Sequence, residues 1–514
     1  MMANVLFRDI VTAAGGRILH GNPELNITDV QYDSRLIGRG DLFVALRGGY
    51  ADGHSYLQHA RERGAVAALV EDPSQTDGYQ AVAIVKNTRE ALSPLSARFF
   101  GHPADELGVI GITGTDGKTT TSYLIDAMLR ANGIKTGLVG TVAIRVGENV
   151  VEHDTRQTTP ESLEVQRLLA RMRDERVDWA VMEATSHALA LYRLNDCPVD
   201  IGVITNVTRE HLDFHGTVEE YRRAKARLIR KVESAGDRPF PRAAIINLDD
   251  DGAREIGQSA TVPVIWFSTR DRDATVFAEA IEVHAGGTSF RMSIAGESTE
   301  IDLKLIGGYN VLNAMAAAGA GSALGFGVDE IRVGLESLPH VPGRMQRVDC
   351  GQPFNVIVDY AHSPASLEET LRLVRSVTPG RIIVVSGSAG ERDQGKRPVQ
   401  GRICVELADF AIFTSEDPRY EDPERIVDEI AAGAISAGAT AGRDFLSIEN
   451  RRTAISEAIA RADAGDTVLL AGKGHETCII YGNERAPWNE AQEARSALAR
   501  NGYNAPAPDT EGQA

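Results

Sequence analysis

The chain has 514 residues, of which 43% are hydrophobic and 25% are charged, and its formal net charge at pH 7 is −18. This length exceeds one ordinary hydrophobic core, so three domains are expected. The acidic balance argues against nucleic acid as the main partner, because phosphate backbones bind basic surfaces. The sequence has no run of about 18 apolar residues and no recognisable secretory leader, so no membrane partner is predicted.

Short apolar segments alternate with helical stretches, which is typical of α/β units with largely parallel sheets. In chain order, strands are predicted at residues 65–70, 81–85, 107–112, 179–184, 200–207, 243–250, 262–268, 355–362, 381–388, 410–418 and 466–474. Between 272 and 306, polar and apolar residues alternate around a turn at 284–287, which predicts an antiparallel hairpin insert. Many strands end in polar residues, and ligands of open α/β sheets bind beyond such ends.

A Gly-rich segment follows the predicted strand at 107–112 and precedes a predicted helix. Glycine lets backbone N–H groups face a phosphate, and the helix N-terminus adds positive potential. Lys118 would reach the terminal phosphates, and the Thr119 hydroxyl would contact Mg²⁺. The strict phosphate-loop expression fails because Gly111 lies one residue too far from Gly117, so an ordinary strand–helix turn is the alternative. The Lys-Thr-Thr run that begins at Lys118 favours nucleotide binding.

Acidic residues and histidines follow the next two predicted strands of this region. Glu183 ends a very apolar strand and suits a Mg²⁺ ligand, although a helix cap or a paired structural acid is an equal alternative. Further along the chain come Asn206, Glu210, His211, Asp213 and His215. Histidines there could equally be structural groups. Lys225, taken alone, is expected to be a solvated lysine on a helix face.

The motif-bearing segments between residues 114 and 476 are, in order, GTDGKTTT, MEATSHAL, TNVTREHLDFHG, YRRAK, GGYNVLNAMAA, VPGRMQRV, VDYAHSP, GERDQGKRP and AGKGHE. Together they resemble the Mur ligases, most closely the MurE type, which adds the third residue to UDP-N-acetylmuramoyl-L-alanyl-D-glutamate. The segments at 33–35 and 40–45 resemble the uridine-nucleotide module of that type. The resemblance covers nearly the whole chain apart from its tail.

The resemblance implies three α/β domains, whose boundaries we place at the Gly/Pro-containing loops 99–106 and 338–344. A UDP-sugar-binding module is expected over residues 1–103 and a P-loop ATPase domain with a mostly parallel sheet over 104–341. A Rossmann-like amino-acid-binding domain is expected over 342–503. The Pro-, Gly- and acid-rich residues 504–514 predict a disordered tail.

The implied reaction has two steps and uses ATP and Mg²⁺. The D-glutamate side-chain carboxylate attacks the γ-phosphate of ATP, which gives an acyl phosphate and ADP. The amine of a diamino acid then displaces phosphate. Carboxylates are poor acylating agents, so the phosphoryl group supplies the leaving group, and its negative charge requires cations nearby.

The resemblance also assigns residues to each part of this reaction. The catalytic set is Lys118, Glu183, His211 and Lys225, and the metal set is Thr119, Glu183, His211 and Lys225, with Lys225 as its carbamate (N6-carboxylysine). The ATP set is Gly114, Thr115, Asp116, Gly117, Lys118, Thr119, Thr120, Asn310, Arg344 and Asp359. The UDP-muramoyl-dipeptide set is Ser34, Thr158, Thr159, Thr185 and Arg193. The diamino-acid set is Arg392, Glu416, Asp417, Arg419, Gly472 and Glu476.

Four positions depart from the family pattern. Asp116 replaces an Asn in the phosphate loop and adds a negative charge near phosphates, Glu210 replaces an Asp, and Leu191 replaces a substrate-contacting Gln of some members. Asp417 replaces the Asn that contacts the far carboxylate of meso-diaminopimelate. A carboxylate there would repel a second carboxylate and attract an ammonium. We therefore hypothesise that the third substrate is lysine or ornithine, although Arg419 favours diaminopimelate.

Two other functions remain as alternatives. One is a folylpolyglutamate synthase-like ligase, against which the segments at 33–35 and 471–476 argue. The other is a non-catalytic ATP-dependent switch or binding protein, which would not explain the acids and histidines at strand ends. The resemblance implies small-molecule partners and a monomer. The four scattered cysteines, Cys197, Cys350, Cys404 and Cys478, fit neither a zinc site nor a disulfide framework, which predicts a cytoplasmic protein.

Overall fold

The computed structural model describes residues 5–48, 51–151 and 157–504. Its contacts define two compact units. The first comprises Met1–Ala280, Phe290–Ile301 and Val311–Ser337, and the second comprises Ile281–Ser289, Asp302–Asn310 and Leu338–Ala514. The predicted boundary between residues 103 and 104 falls inside the first unit and stays a prediction. Residues 505–514 of the predicted tail lie outside the described residues.

The N-terminal segment of the first unit carries a five-stranded sheet in the order β2-β7-β6-β5-β4. Its elements are β1 Val5–Leu6, α1 Phe7–Ala13, β2 Arg17–Gly21, β3 Asn26–Ile27, β4 Val30–Gln31, β5 Leu42–Val44, α2 Leu57–Arg63, β6 Ala67–Val70, β7 Ala81–Ile84 and α3 Thr88–Phe99. Strands β4 to β7 are parallel and β2 is antiparallel to β7. The two strands predicted here are confirmed as β6 and β7, and both are almost wholly buried.

The following segment begins with a Rossmann-like alternation of strands and helices. Its first elements are β8 Gly108–Thr113, α4 Lys118–Ala131, β9 Thr136–Val139, β10 Ile144–Val146, β11 Asn149–Val151, α5 Ser162–Asp174, β12 Trp179–Glu183, α6 Ser186–Ala190, β13 Ile201–Ile204, α7 Leu212–His215 and α8 Val218–Glu233. Then follow β14 Ala243–Asn247, α9 Asp251–Gln258, β15 Val264–Ser268, β16 Val276–His284, β17 Gly287–Ile294, β18 Glu297–Leu303, α10 Tyr309–Ala323 and α11 Val328–Glu336. Two-residue turns join β16, β17 and β18, so the predicted hairpin insert is confirmed and has a third strand.

Strand order brings the predicted site residues together. The sheet runs β11-β10-β9-β12-β8-β13-β14-β15-β16-β17-β18, and β8 lies between β12 and β13 with parallel pairing on both sides. In this register Glu183 pairs with Ile112, and Ile204 pairs with Thr113. The carboxyl ends of three strands therefore meet at one edge of the sheet, where ligands of such sheets bind.

Glycines bring helix α8 directly onto this sheet. A Cβ on Gly111 of β8 would lie 2.7 Å from Leu228 Cδ1, and one on Gly202 of β13 would lie 2.9 Å from Val232 Cγ2. Any larger residue at either position would push the helix outward. The close approach fixes the height of α8 over the strand ends.

The second unit contains a sheet in the order β19-β20-β24-β21-β22-β23, in which β19 is antiparallel to β20 and the other pairs are parallel. Its elements are β19 Gln346–Arg347, β20 Asn355–Asp359, α12 Pro364–Val377, β21 Ile382–Ser386, α13 Lys396–Leu407, β22 Phe410–Phe413, α14 Pro423–Ser436, β23 Phe445–Ser447, α15 Arg451–Arg461, β24 Thr467–Ala471, β25 Cys478–Tyr481, β26 Glu484–Pro487 and α16 Glu490–Arg500. Separate buried apolar clusters pack on its two faces. Within the described ranges, no helix is long and apolar enough to cross a membrane.

Candidate active site

The phosphate loop lies between β8 and α4, and two of its glycines are required by close neighbours. A Cβ on Gly114 would lie 1.8 Å from Thr205 Oγ1. Gly117 has a φ of 83°, and a Cβ there would lie 2.3 Å from Asn313 Oδ1. Lys118 begins α4, and its Nζ donates to the carbonyl oxygens of Gly114 (3.0 Å) and Thr115 (2.8 Å). The predicted loop therefore has a fixed, tightly turned backbone at a helix N-terminus.

The loop is also tied to the residues that follow β13. The Asp116 N–H donates to Asn206 Oδ1 at 2.9 Å, and the Thr205 hydroxyl donates to the Asp116 carbonyl at 2.6 Å. Asp116 itself is exposed. Solvent therefore screens the extra negative charge that Asp116 brings to the phosphate loop.

Glu183 is fully buried at the end of β12 and is surrounded by hydroxyl and amide donors. Its Oε2 accepts hydrogen bonds from the hydroxyls of Thr119 (3.1 Å) and Thr141 (2.9 Å), and its Oε1 accepts one from the Thr141 N–H (2.9 Å). Burial raises the pKa of Glu183, while the bonds from Thr141 and the charge of Lys118 oppose the shift. A buried carboxylate beside a threonine hydroxyl is a donor set that suits Mg²⁺.

In the part of the chain that the structure describes, no group of three or more His, Cys, Asp and Glu side chains forms a metal cluster. Thr119 and Glu183 offer two oxygen ligands, and a Mg²⁺ ion held there would share its shell with phosphate oxygens and water. That is the usual way in which nucleotide-binding sites hold Mg²⁺.

Lys225 is buried, so its expected position on a solvated helix face is wrong. Tyr221, Ala224, Lys225 and Leu228 share the spacing of one helix stripe, and that stripe of α8 faces the sheet. Lys225 Nζ donates to the Gly114 carbonyl at 2.5 Å and lies 4.6 Å from the centre of the Tyr221 ring. Burial, with the charge of Lys118, lowers the pKa of Lys225 well below its usual value.

His211 lies in an aromatic cluster beside the start of α8. The His187 ring centre is 4.8 Å from that of His211 and 4.2 Å from that of Phe214. His215 and His211 both lie against Tyr221, the residue whose ring contacts Lys225. Burial, together with the neighbouring histidines, lowers the pKa of His187 to about 4. The His211 side chain is 45% exposed and therefore remains accessible to a ligand.

The predicted muramoyl-dipeptide residues of the central segment form one network around Glu183. The Thr159 hydroxyl donates to the Glu183 carbonyl oxygen at 2.7 Å and lies 3.3 Å from the Thr185 hydroxyl. The Thr158 hydroxyl lies 2.9 Å from that of Thr141. Arg193 Nη1 donates to the Thr159 carbonyl oxygen at 2.9 Å.

Thr141 connects the Glu183 carboxylate to this network, and no motif predicted Thr141 as a site residue. Its only signal in the sequence is a threonine after a short apolar stretch, the strand β9, which was not predicted either. Ser34, the remaining residue of the muramoyl-dipeptide set, is buried in the N-terminal segment, where its Oγ lies 3.0 Å from His59 Nδ1.

Three residues of the predicted ATP set lie in the second unit. Asp359 ends β20, and its carboxylate accepts hydrogen bonds from the N–H groups of Met345 (2.8 Å) and Ala361 (2.9 Å). Burial raises the pKa of Asp359. Arg344 lies over the Tyr360 ring, 5.0 Å from its centre, and Asn310 is buried and donates to the Ile306 carbonyl oxygen at 2.9 Å.

The predicted diamino-acid residues follow three strands of the second unit: Arg392 follows β21, Glu416, Asp417 and Arg419 follow β22, and Gly472 and Glu476 follow β24. Asp417 Oδ1 accepts hydrogen bonds from Lys473 Nζ at 2.9 Å and from the Ile480 N–H at 3.1 Å. Lys473 is fully buried and also pairs with Glu476. The sequence analysis did not assign Lys473 a role, although it lies inside the AGKGHE segment.

Other polar groups of this region have atoms without partners. Glu416 Oε2 and Arg419 Nε are both buried and have no hydrogen-bond partner among the described residues. A Cβ on Gly472 would lie 3.1 Å from Glu416 Oε2. Arg392 is exposed on the loop before α13. Buried polar atoms without partners are costly, so a polar ligand is expected to complete them.

Comparison with known proteins identifies the class to which this fold and site belong. Family models match residues 26–100 (Mur ligase family, catalytic domain), 112–321 (Mur ligase middle domain) and 343–474 (Mur ligase, glutamate ligase domain). The chain belongs to the Mur ligase family, and it is an ATP-dependent amide ligase.

Relatives of known type cover nearly the whole chain. A UDP-N-acetylmuramyl-tripeptide synthetase of Roseiflexus sp. is 47% identical, over 94% of this chain and 96% of its own length. A UDP-N-acetylmuramoyl-L-alanyl-D-glutamate–2,6-diaminopimelate ligase of Geobacillus kaustophilus is 42% identical over the same shares. A solved structure of a ligase with that second name is 28% identical, covers 98% of this chain and 100% of its own, and has a TM-score of 0.68. A Mycobacterium tuberculosis folylpolyglutamate synthase, at 21% identity and a TM-score of 0.55, shares the fold alone.

Proposed function

We propose that the chain joins a diamino acid to the D-glutamate of UDP-N-acetylmuramoyl-L-alanyl-D-glutamate in peptidoglycan synthesis, using ATP and Mg²⁺. The observation that carries the proposal is the network that links the phosphate loop, through Thr119, Glu183 and Thr141, to Thr158. One set of hydrogen bonds joins the residues expected at the phosphates to those expected at the muramoyl dipeptide. The names of the relatives support the same substrates.

The proposed chemistry balances in two steps. A side-chain carboxylate oxygen of D-glutamate attacks the γ-phosphorus of ATP, and the bond from that phosphorus to the ADP oxygen breaks. The amine of the diamino acid then attacks the acyl carbon, the carbon–oxygen bond to phosphate breaks, and the amine loses a proton. Lys118 would hold the terminal phosphates, and Glu183 and Thr119 would hold Mg²⁺, which neutralises phosphate charge.

We further propose that Lys225 acts as its carbamate. Only a neutral amine attacks CO₂, and burial already lowers the pKa of Lys225 well below its usual value. The reaction turns the amine into an anion and releases a proton. An anion on the buried face of α8, beside Tyr221 and near His211, would suit a second Mg²⁺ ion.

For the third substrate we propose a basic diamino acid, lysine or ornithine. Asp417 and Glu476 both pair with the ammonium of Lys473, and Glu416 adds a third, buried acid that lies near Lys396 as well as Lys473. That excess of negative charge favours a substrate that ends in an ammonium over one that ends in a carboxylate. Arg419, whose Nε has no partner among the described residues, is the residue that would instead favour diaminopimelate.

The experiment that tests the proposal measures ADP release by the full-length protein with ATP, Mg²⁺ and the muramoyl dipeptide. Lysine, ornithine and meso-diaminopimelate are supplied in turn. Release is expected only when both the dipeptide and a diamino acid are present. Release with a folate substrate in place of the dipeptide would contradict the proposal.

We also propose that the enzyme acts as a monomer in the cytoplasm. The four cysteines, Cys197, Cys350, Cys404 and Cys478, are all free thiols, and the first three are buried. Free thiols without disulfides are typical of proteins kept in a reducing compartment. Sedimentation analysis of the purified chain tests the monomer.

A further inference from the structure

Glu161 occupies the N-cap position of α5, yet its side chain makes no capping hydrogen bond. Its Oε1 instead accepts hydrogen bonds from Arg89 Nη1 at 3.0 Å and carries an ion pair with Arg193 Nη2 at 2.9 Å. The Glu161 side chain is only 12% exposed and that of Arg193 only 9%. One carboxylate therefore binds two guanidinium groups, one from helix α3 and one from the predicted muramoyl-dipeptide site.

The Arg193 guanidinium is held at two of its three nitrogens. Nη2 pairs with Glu161, and Nη1 donates to the Thr159 carbonyl oxygen at 2.9 Å. The third nitrogen, Nε, is buried and has no partner among the described residues, and the same holds for Glu161 Oε2. A buried donor on Arg193 and a buried acceptor on its ion-pair partner Glu161 thus have no partner among the described residues. Because leaving such atoms unpaired is unfavourable, the arrangement suits a ligand that offers both an acceptor and a donor, as a peptide group does.

We infer that Glu161 is a positioning residue for the muramoyl dipeptide. It orients the Arg193 guanidinium so that Nε is directed to a carbonyl or carboxylate oxygen of the dipeptide, while Glu161 Oε2 accepts a hydrogen bond from a dipeptide N–H. This inference rests on the proposed function, because it takes the dipeptide as the ligand of Arg193. Arg89, which lies outside this site, binds the same carboxylate oxygen, Oε1, as Arg193 does.

Two physical roles of Glu161 predict opposite changes in substrate affinity. If the carboxylate acted only through its charge, removing it would leave two guanidinium groups uncompensated and would strengthen binding of an anionic substrate. If it positions Arg193, removing it lets the guanidinium turn away, and binding weakens. The sign of the change in KM for the dipeptide therefore distinguishes positioning from a charge effect.

The test compares Glu161→Gln, Glu161→Ala, Arg193→Ala and the Glu161→Gln/Arg193→Ala double variant with the unmodified full-length chain. We expect Glu161→Gln to raise KM for the dipeptide about tenfold, with KM for ATP changed less than about twofold. When Arg193 is already alanine, Glu161→Gln should raise KM for the dipeptide little further, because the two residues act as one unit. Arg89→Met serves as the matched control, since it removes a guanidinium from the same carboxylate but leaves the Glu161–Arg193 pair in place. We expect Arg89→Met to raise KM for the dipeptide less than about threefold.

Each outcome bears on the inference. A fall in the dipeptide KM of Glu161→Gln, or fully additive effects in the double variant, would overturn it while leaving the proposed function intact. If Arg89→Met raises KM for the dipeptide as much as Glu161→Gln does, the inference is also overturned. A structural role of Glu161 as a bridge between Arg89 and Arg193 would then explain both results. Failure of the proposed function is separately visible as the absence of dipeptide-dependent ADP release by the unmodified chain. Circular dichroism shows whether Glu161→Ala folds. If it does not fold, the change in KM of the isosteric Glu161→Gln variant still tests whether Glu161 positions Arg193.

Discussion

The hydroxyl of Thr119 lies 3.1 Å from the carboxylate of Glu183, although 64 positions separate the two residues along the chain. Thr119 is in the first turn of α4 and Glu183 is the last residue of β12, which pairs with β8 directly before the phosphate loop. The two residues expected to hold Mg²⁺ are thus adjacent in the protein itself. Their preorganised arrangement lowers the cost of binding the metal with its nucleotide.

Glu183→Gln is expected to reduce kcat about 100-fold and to raise the Mg²⁺ concentration needed for half-maximal activity, because an amide is a weaker metal ligand than a carboxylate. ADP release measured across a Mg²⁺ titration checks this. The matched control is Glu164→Gln, another acid of the same unit whose pKa burial raises. An unchanged Mg²⁺ requirement in Glu183→Gln would remove Glu183 from the metal site.

The raised pKa of Glu183 also predicts how stability depends on pH without Mg²⁺. Between its ordinary and its raised pKa, the folded state binds more protons than the unfolded state, so stability falls as pH rises through this window. Above the window, Glu183→Gln should therefore unfold at a higher temperature than the unmodified chain in metal-free buffer. Thermal unfolding across a pH series measures this, and a Glu183→Gln variant that unfolds at a lower temperature than the unmodified chain at every pH contradicts it.

Thr141→Val should raise the Mg²⁺ requirement and lower kcat about tenfold, since the hydroxyl that orients Glu183 Oε2 is lost while the shape is kept. Thr141→Ser retains the hydroxyl and is the matched control. We expect Thr141→Ser to keep most of the activity. A Thr141→Val variant as active as Thr141→Ser, with the same Mg²⁺ requirement, would mean that the hydroxyl does not orient Glu183.

Lys225→Arg should abolish most activity, because a guanidinium keeps the positive charge but cannot form the carbamate. The unmodified chain should lose activity when CO₂ and bicarbonate are removed and regain it when bicarbonate returns. Intact-protein mass spectrometry at high bicarbonate checks whether the modification is present, and Lys231→Arg, on the same helix as Lys225, is the control variant. Bicarbonate-independent activity together with an active Lys225→Arg variant would exclude the carbamate.

Asp417→Asn should shift the choice of third substrate toward meso-diaminopimelate. The substitution removes one of the two carboxylates paired with Lys473 and introduces the amide that the family resemblance implies for diaminopimelate-adding members. We expect the ratio of kcat/KM for diaminopimelate to that for lysine to rise about tenfold or more. A preference of the unmodified chain for diaminopimelate would contradict the proposed basic substrate. It would mean that Arg419 has more influence on the choice of substrate than Asp417 has.

The long apolar strands of both parallel sheets could be predicted from the sequence, because continuous burial leaves a run of apolar residues such as that in β12 or β21. The short strands β2 to β5 and β9 to β11 were not predicted. β2 is largely exposed and polar, and β9 contains a glycine in a run of only four residues. Short strands of this kind are defined by their pairing partners rather than by their own composition.

Within the site, the phosphate loop could be predicted from its Gly-rich motif. Contacts between segments that lie far apart along the chain could not be predicted. The burial of Lys225 depends on Gly111 admitting Leu228 of α8, and nothing in the helix sequence reports that approach. The pairing of Asp417 with Lys473 joins residues 56 positions apart. Thr141 reaches the site because β9, which it follows, pairs with β12. The sequence does not indicate this pairing.

The most direct test of the account is ADP release by the unmodified chain and by Lys118→Ala, with ATP, Mg²⁺, the muramoyl dipeptide and a diamino acid. We expect release to require both the dipeptide and the diamino acid. We expect Lys118→Ala to lose about 100-fold or more of this activity, because Lys118 would neutralise the charge of the transferred phosphoryl group. Dipeptide-independent release, or substantial activity in Lys118→Ala, would contradict it.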